Sequence, residues 1–367
     1  MSFCVPVYNN AEAAVKVISN ILVSDDPRLE VVACDNASTD NTQEALSQIR
    51  DPRLKYFRNE KNLGAHMNWC RALGHGSGDW LYLVMGRDKI HGENAGELIR
   101  LLKYAEDHNI TCIRDGHSYR KSVDTYSGIK AMIRFLGGNH PTGAVFNRRL
   151  FQAIPDDVKL KYFTSSDMYP ENFVWRDLIM QGTAALTMSG VFECAGLVET
   201  NNVVLNKSEI KSTVEKRGNI LDTFFAPKGR MKLFRELISM VIVDLRDKFT
   251  EKEKTEYIIS KFYALLNNVS YAWCVWCEDA EQMAHYGQNV RTITVREMWS
   301  NILKAYPEAS AYLNEIGELT LIRKLRMRWC MLVMGVYAPI AAKSKKLLQA
   351  LGIWHSLRRF LRKVFVR

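Results

Sequence analysis

The sequence predicts an α/β protein, with a mostly parallel sheet flanked by helices and an α-helical C-terminal extension. Three observations carry this. Residues 31–35 (VVACD) are a short apolar run ending in an acid and a cluster of Asn, Ser, Asp and Thr, the pattern of a buried parallel strand entering a loop. Similar runs at 3–7 and 80–84 are separated from it by helical stretches, which suits strand–helix–strand units. From about residue 206 the pattern turns helical, with long periodic segments at 221–249, 251–277 and 295–316 and no strand signals.

In chain order, the first strand (FCVPVYNN, 3–10) stops at Pro6 and Tyr8, and a helix over 11–22 leads to the 31–35 strand. Open α/β sheets bind ligands at the carboxyl ends of their strands, so Asp35 sits where a ligand would sit. On this stretch alone an ordinary strand-to-helix turn is an equal reading. Ser38 or Thr39 is positioned to cap a helix over 42–49. A third strand follows near 54–57, then a polar loop (NEKNLGAHMN, 59–68), a helix to about 73 and the strand GDWLYLV (78–84). Residues 94–108 place Leu98, Leu101, Leu102 and Ala105 on one helical face, and 111–113 read as a short strand.

Composition sets bounds. A chain of 367 residues accommodates one large domain of roughly 200–250 residues plus an appendage. The first strand begins almost at once, so no signal peptide is expected. The eight cysteines are scattered, with Cys4 and Cys34 inside expected buried strands, which suits reduced thiols in a cytoplasmic protein. Cys274 and Cys277 have CxxC spacing but no second pair, and lie in a run that reads as a buried helix. The net charge is +10, yet residues 319–367 hold twelve Lys and Arg and no acid, so the first 318 residues sum to about −2. The basic character belongs to the tail, and no nucleic-acid partner is expected. No repeat or low-complexity linker stands out.

Four segments in series resemble the family 2 glycosyltransferases, whose domain is the Rossmann-like GT-A fold. Residues 3–10 match a strand of the form IPVYN, 31–42 match VVDDGSTDNT, 62–68 match N-x-G-x-x-x-A/N, and 78–84 match G-D/E-Y-I-x-F-L. The resemblance covers residues 3 to about 90. It implies inverting transfer of a hexose from a nucleotide-sugar donor, UDP-linked, to a glycan or lipid-linked acceptor, in bacterial surface polysaccharide synthesis. Pro6 and Tyr8 are then expected to wall the base slot, the Tyr ring packing on the base. Asp35 is expected to accept from the imide N–H of uracil, selecting it over cytosine. Asn62 and Gly64 match the element where backbone approaches the nucleoside, and glycine lacks a Cβ to obstruct that approach. Arg71 on the next helix is either a phosphate contact or part of a solvated face.

The sequence departs from the family at 83–90 (LVMGRDKI). The family carries a carboxylate-x-carboxylate motif there for Mn²⁺ or Mg²⁺, because hard cations want several oxygens. Here Asp88 alone remains, between Arg87 and Lys89. Three readings stand: Asp88 holds Mg²⁺ or Mn²⁺ with water and substrate oxygens; Arg87 and Lys89 replace the metal's charge on the leaving diphosphate; or the protein binds without catalysing.

Residues 137–150 (GGNHPTGAVFNRRL) resemble the family's acceptor-side strand, which implies sugar contacts from His140, Thr142 and Gly143. The family carries its base, commonly in a Glu-Asp pair, on a loop before a helix. Glu171-Asn172 stands in that place, so Glu171 is the first candidate base and Asp167 the second, with Asp177 a helix-face acid. A helix N-terminal acid is the structural alternative for Glu171. A rival nucleotidyltransferase would want a Gly-rich phosphate loop after the first strand, which Tyr8-Asn9-Asn10 does not supply.

The expected domains are 1–205 for the transferase, 206–318 for a helical extension and 319–367 for a basic amphipathic tail. Residues 329–342 are free of charge but too short to span, since a membrane helix needs about twenty residues. Leu347, Leu351, Trp354, Leu357, Leu361 and Phe365 recur at helical spacing beside Lys345, Lys346, Arg358, Arg359, Arg362 and Lys363. That describes an interfacial helix on an anionic membrane, placing the protein peripherally on its cytoplasmic face.

Overall fold

Strand order follows from which runs are apolar throughout. In the computed structural model β1 (Ser2–Val7), β2 (Glu30–Asp35), β3 (Leu54–Arg58) and β4 (Trp80–Leu83) pair in parallel in the order β3-β2-β1-β4. The helices α1 (Ala11–Leu22), α2 (Thr42–Ser47) and α3 (Ala65–His75) supply the crossovers. β1, β2 and β4 are almost wholly buried, as strands covered on both faces should be. The structure describes residues 1–86, 88–116, 120–138, 140–166, 169–193, 226–274, 277 and 293–350; side chains at 120–122, 340 and 342–350 lie outside that description.

Beyond β4 come β5 (Lys89–Ile90), α4 (Ala95–Asp107), β6 (Ile110–Asp115), β7 (Arg120–Tyr126), α5 (Gly128–Phe135), β8 (Ala144–Asn147), α6 (Arg148–Ala153), α7 (Asp156–Ser165), α8 (Glu171–Ile179), β9 (Thr183–Met188) and β10 (Phe192–Glu193). They extend the sheet to β3-β2-β1-β4-β8-β6-β9-β7. β8 runs antiparallel between β4 and β6, β9 is parallel to β6, and β7 closes the edge antiparallel to β9. β10 and β5 form a separate antiparallel ribbon.

One apolar layer packs Ile18 and Ile21 of α1 and Leu98 and Leu102 of α4 against Phe3, Val5, Val31 and Tyr82 of the sheet. In another cluster Trp175 of α8 meets Phe135 and Phe146, with ring centroids 5.2 and 5.0 Å apart. Truncating side chains of this kind costs about 3–5 kcal/mol each.

The chain divides into two compact units, Met1–Val203 and Val204–Arg367. In the second, α9 (Pro227–Ile238), α10 (Glu251–Asn267), α11 (Val295–Glu315) and α12 (Leu321–Ala350) are helical, with π-turns at Ser239–Val243 and Asn268–Ala272. Thr250 and Thr294 close capping boxes with Glu253 and Glu297, which fixes where α10 and α11 start. An ion cluster around the buried Arg323 joins the elements: Arg323 pairs with Glu318 and, at 2.9 Å, with the exposed Glu251. No described helix is long and apolar enough to cross a membrane.

Candidate active site

The order β3-β2-β1-β4 reverses direction between β1 and β4, and a crevice opens outside the carboxyl ends at such a point. Pro6 is half-buried within β1, and Tyr8 just past it is 46% exposed, its ring available for stacking. Gly86 lies against the Pro6 carbonyl, so the segment after β4 folds beside the end of β1.

Asp35 ends β2 and is fully buried. Its Oδ1 accepts from the Ser38 N–H at 2.9 Å, and its Oδ2 from the Tyr56 hydroxyl at 2.7 Å and from Arg58. Burial alone would raise this carboxyl, but the bonds from Ser38 and Tyr56 and the Arg58 charge hold it below the ordinary carboxylate range. Ser38 and Thr39 do not cap the following helix. Asn41 is its N-cap, while Ser38 Oγ accepts from the Asn9 N–H and the Thr39 N–H donates to Asn9 Oδ1. Both are thus spent on joining the β1 and β2 ends.

Asn62 and Gly64 lie on an exposed loop braced from below. Asn62 Oδ1 accepts from the Gly64 N–H and from Asn36 Nδ2, each at 2.8 Å. Asn36, Asn59 and Asn68 continue this network to the carbonyls of Val7 and Cys34. A Cβ on Gly64 would meet nothing, but its φ of +83° is a conformation other residues adopt only at a cost. Glycine is needed here for backbone conformation, and crowding within the protein plays no part. Arg71 is exposed on α3.

Asp88 is buried, and its Oδ2 accepts from the Thr142 hydroxyl. Thr142 Oγ1 accepts in turn from the Met85 N–H at 2.8 Å, and His140 Nδ1 lies 3.5 Å from Asp88 Oδ2. The segment before β8 is therefore fastened to the segment after β4. Gly143 completes the join: its φ is +90°, and a Cβ would stand 2.2 Å from the Asp115 carbonyl oxygen, so no larger residue fits. Lys89 donates to Glu193 at 2.8 Å across the β5–β10 ribbon. Arg87 and Asp167 lie outside the described residues.

Glu171 opens α8 and is 2% exposed. The nearby Arg114 guanidinium is pushed down to about 10 by burial, against the opposing pull of Glu171. Asn172 beside it bonds both ways to Gly137, accepting from its N–H at 3.0 Å and donating to its carbonyl at 3.1 Å. Asp177 is occupied by the Tyr162 hydroxyl and Arg176.

Sequence reasoning missed Asp115, Arg114, Tyr56 and Arg58. Asp115 receives the Ser189 N–H, the Ser189 hydroxyl and the Tyr82 hydroxyl, yet burial keeps its carboxyl above the ordinary range. The expected strand stopped at 113, two residues short of it. Tyr56 and Arg58 alternate along β3, and their spacing of two was the available signal.

As to a metal, no group of three His, Cys, Asp or Glu that could hold one occurs among the described residues. Asp88 and His140 are two convergent donors. Only Asp88 offers the oxygen a hard cation prefers, and His140 Nδ1 accepts from the Thr142 N–H at 3.3 Å, so a cation here would take most of its ligands from diphosphate and water.

A mostly parallel sheet with this switch point and an antiparallel strand inserted beside β4 is the GT-A glycosyltransferase fold. Residues 2–163 match the model of glycosyl transferase family 2. Abequosyltransferase RfbV of Salmonella typhimurium is 30% identical over 95 residues, 24% of this chain and 28% of that protein. Succinoglycan biosynthesis protein ExoO of Rhizobium meliloti is 26% identical over 99 residues, 27% of this chain and 28% of that one. The chain thus matches little more than a quarter of the length of these curated relatives. Among solved structures, S. aureus TarS 1-349 aligns with a TM-score of 0.51 at 13% identity, covering 94% of this chain and 91% of that one. The same protein in complex with UDP-GlcNAc gives 0.51 at 14% identity with the same coverage. At such identities the likeness is one of fold.

Proposed function

We propose that the chain is an inverting glycosyltransferase that moves a hexose from a UDP-linked donor to a glycan or lipid-linked acceptor, in surface polysaccharide synthesis. The observation that carries this is the fastening of Asp88 to Thr142 after β4, the strand next to β1, past whose end the ring of Tyr8 is exposed. It supplies a polar floor for a diphosphate next to a stacking surface for a base. The UDP-GlcNAc complex of S. aureus TarS supports the donor class.

In this reading Tyr8 and Pro6 hold the base, and Asp35 accepts from the uracil imide by exchanging one of its present donors. Asn62 and Gly64 present backbone to the nucleoside, and Thr142 and Gly143 line the sugar. The acceptor oxygen attacks the anomeric carbon, the bond from that carbon to the β-phosphate oxygen breaks, and UDP departs. Glu171 takes the acceptor proton, with Asp167 as the other candidate base. Asp88 and His140 would hold Mg²⁺ or Mn²⁺, which supplies positive charge to the leaving diphosphate. The catalytic unit comprises 1–205, the helical extension 206–318, and the basic 319–367 region meets an anionic membrane peripherally on its cytoplasmic face.

A screen of UDP-, GDP- and dTDP-sugars, read by nucleotide release and by binding, tests the proposal. Turnover of a UDP-sugar is expected. Binding without turnover of any donor, with and without metal, would favour a non-catalytic nucleotide-sugar or glycan-binding protein.

A further inference from the structure

The helix α12 is apolar on two opposite sides, and the helical unit covers one of them. Met327, Cys330, Met334 and Ala338 are buried, on the side packed against α10 and α11. On the other side Ile322, Leu325, Trp329, Leu332 and Val336 are between 57% and 64% exposed. These five recur at helical spacing, a stripe of about 21 Å at 1.5 Å per residue. Single exposed apolar side chains need no explanation, but a contiguous run on one helix face marks a surface that meets something.

Charge selects what it meets. Lys324, Arg326 and Arg328 flank the stripe, and residues 319–367 hold twelve Lys and Arg and no acid. A second copy of the chain would set one basic face against another. An anionic lipid surface is complementary to it, and Trp329 in the middle of the stripe suits the headgroup region, where indole rings accumulate. The basic residues along α12 and the absence of a spanning segment among the described helices place such a helix in the plane of the surface.

We infer that the Ile322–Val336 side of α12 is the docking face of this protein for an anionic bilayer. This deepens the membrane contact proposed above and rests on it. The face lies within a described helix, upstream of the 345–365 segment whose spacing suggested an interfacial helix.

The test uses the full chain and vesicles of phosphatidylcholine with and without phosphatidylglycerol. Wild type is expected to co-sediment with the anionic vesicles only, and a brominated lipid is expected to quench less fluorescence in Trp329→Phe than in wild type. Leu325→Glu combined with Leu332→Glu should cut partitioning about tenfold or more, because apolar burial and charge attraction are both weakened. Both side chains are exposed, and an unchanged circular dichroism melt confirms that the variant folds. Equal binding by variant and wild type overturns the inference, as does a wild type that ignores anionic vesicles. A concentration-dependent dimer dissolved by the same two substitutions would overturn it in favour of self-association. Release of UDP from a UDP-sugar by wild type in solution, without vesicles, reads the catalytic proposal separately, so either can fail alone.

Discussion

Asn172 holds Gly137 by both ends of its side-chain amide, accepting from the backbone N–H and donating to the carbonyl. At this position the resembled family commonly has Asp, which can accept but cannot donate when ionised. The amide thus ties the start of α8, where Glu171 sits, to the segment that carries His140 and Thr142. Asn172→Asp should break one bond and set a carboxylate against a carbonyl oxygen. A loss of about 1–3 kcal/mol in denaturant stability is expected, with donor turnover reduced as well. Unchanged stability and turnover would show that the clamp is unimportant.

Asp35→Ala should weaken UDP binding by about 1–3 kcal/mol in calorimetry, the scale of a charged hydrogen bond. It should also destabilise the fold, because Tyr56 and Arg58 lose their acceptor. A variant that is destabilised but binds UDP normally would make Asp35 a brace for the strand ends and remove it from base recognition.

The same carboxylate sets a pH dependence. Its folded pKa lies below the ordinary value. Its contribution to stability is therefore present above the unfolded carboxylate pKa, about 3.9, and is lost as pH falls through the lower folded value. Between neutral pH and strong acid, wild type should lose more stability than Asp35→Asn does. Parallel acid profiles for the two proteins would contradict this.

The parallel half of the sheet was legible because β1, β2 and β4 are short apolar runs separated by helical stretches. The helix expected over 11–22 is α1 with the same bounds. β7 was missed because its sequence, RKSVDTY, is that of a polar edge strand with little apolar signal. The fastening of Asp88 to Thr142 joins residues 54 apart in sequence, and no local pattern reports such a pairing. Asn172 was legible only as a lost carboxylate, since its partner is backbone, which sequence does not distinguish.

Glu171→Gln should leave donor binding intact and lower transfer by about 10² or more, the general-base contribution. The comparison with Asp167→Asn decides between the two acids. Near-full transfer by Glu171→Gln with loss in Asp167→Asn would move the role to Asp167 and leave Glu171 as a buried acid at the start of α8.

The diphosphate is the last case. Negative charge builds on the departing phosphate, and leaving it bare in a cleft away from water is costly. Asp88 and His140 are two protein donors, too few to hold a divalent ion firmly, so most of its ligands must come from the nucleotide and water. Metal and nucleotide should then bind cooperatively: Mn²⁺ alone should bind weakly in calorimetry, and UDP should tighten it by the same factor by which Mn²⁺ tightens UDP. EDTA should abolish turnover and Mn²⁺ restore it, while Asp88→Asn and His140→Ala should each raise the Mn²⁺ concentration required. Lys89 pairs with Glu193, and Arg87 beside Asp88 in the sequence is a second cation that could stand in place of a metal. Turnover that survives EDTA but falls together with UDP affinity in Arg87→Ala would show that the guanidinium does this work, and the metal assignment would fail.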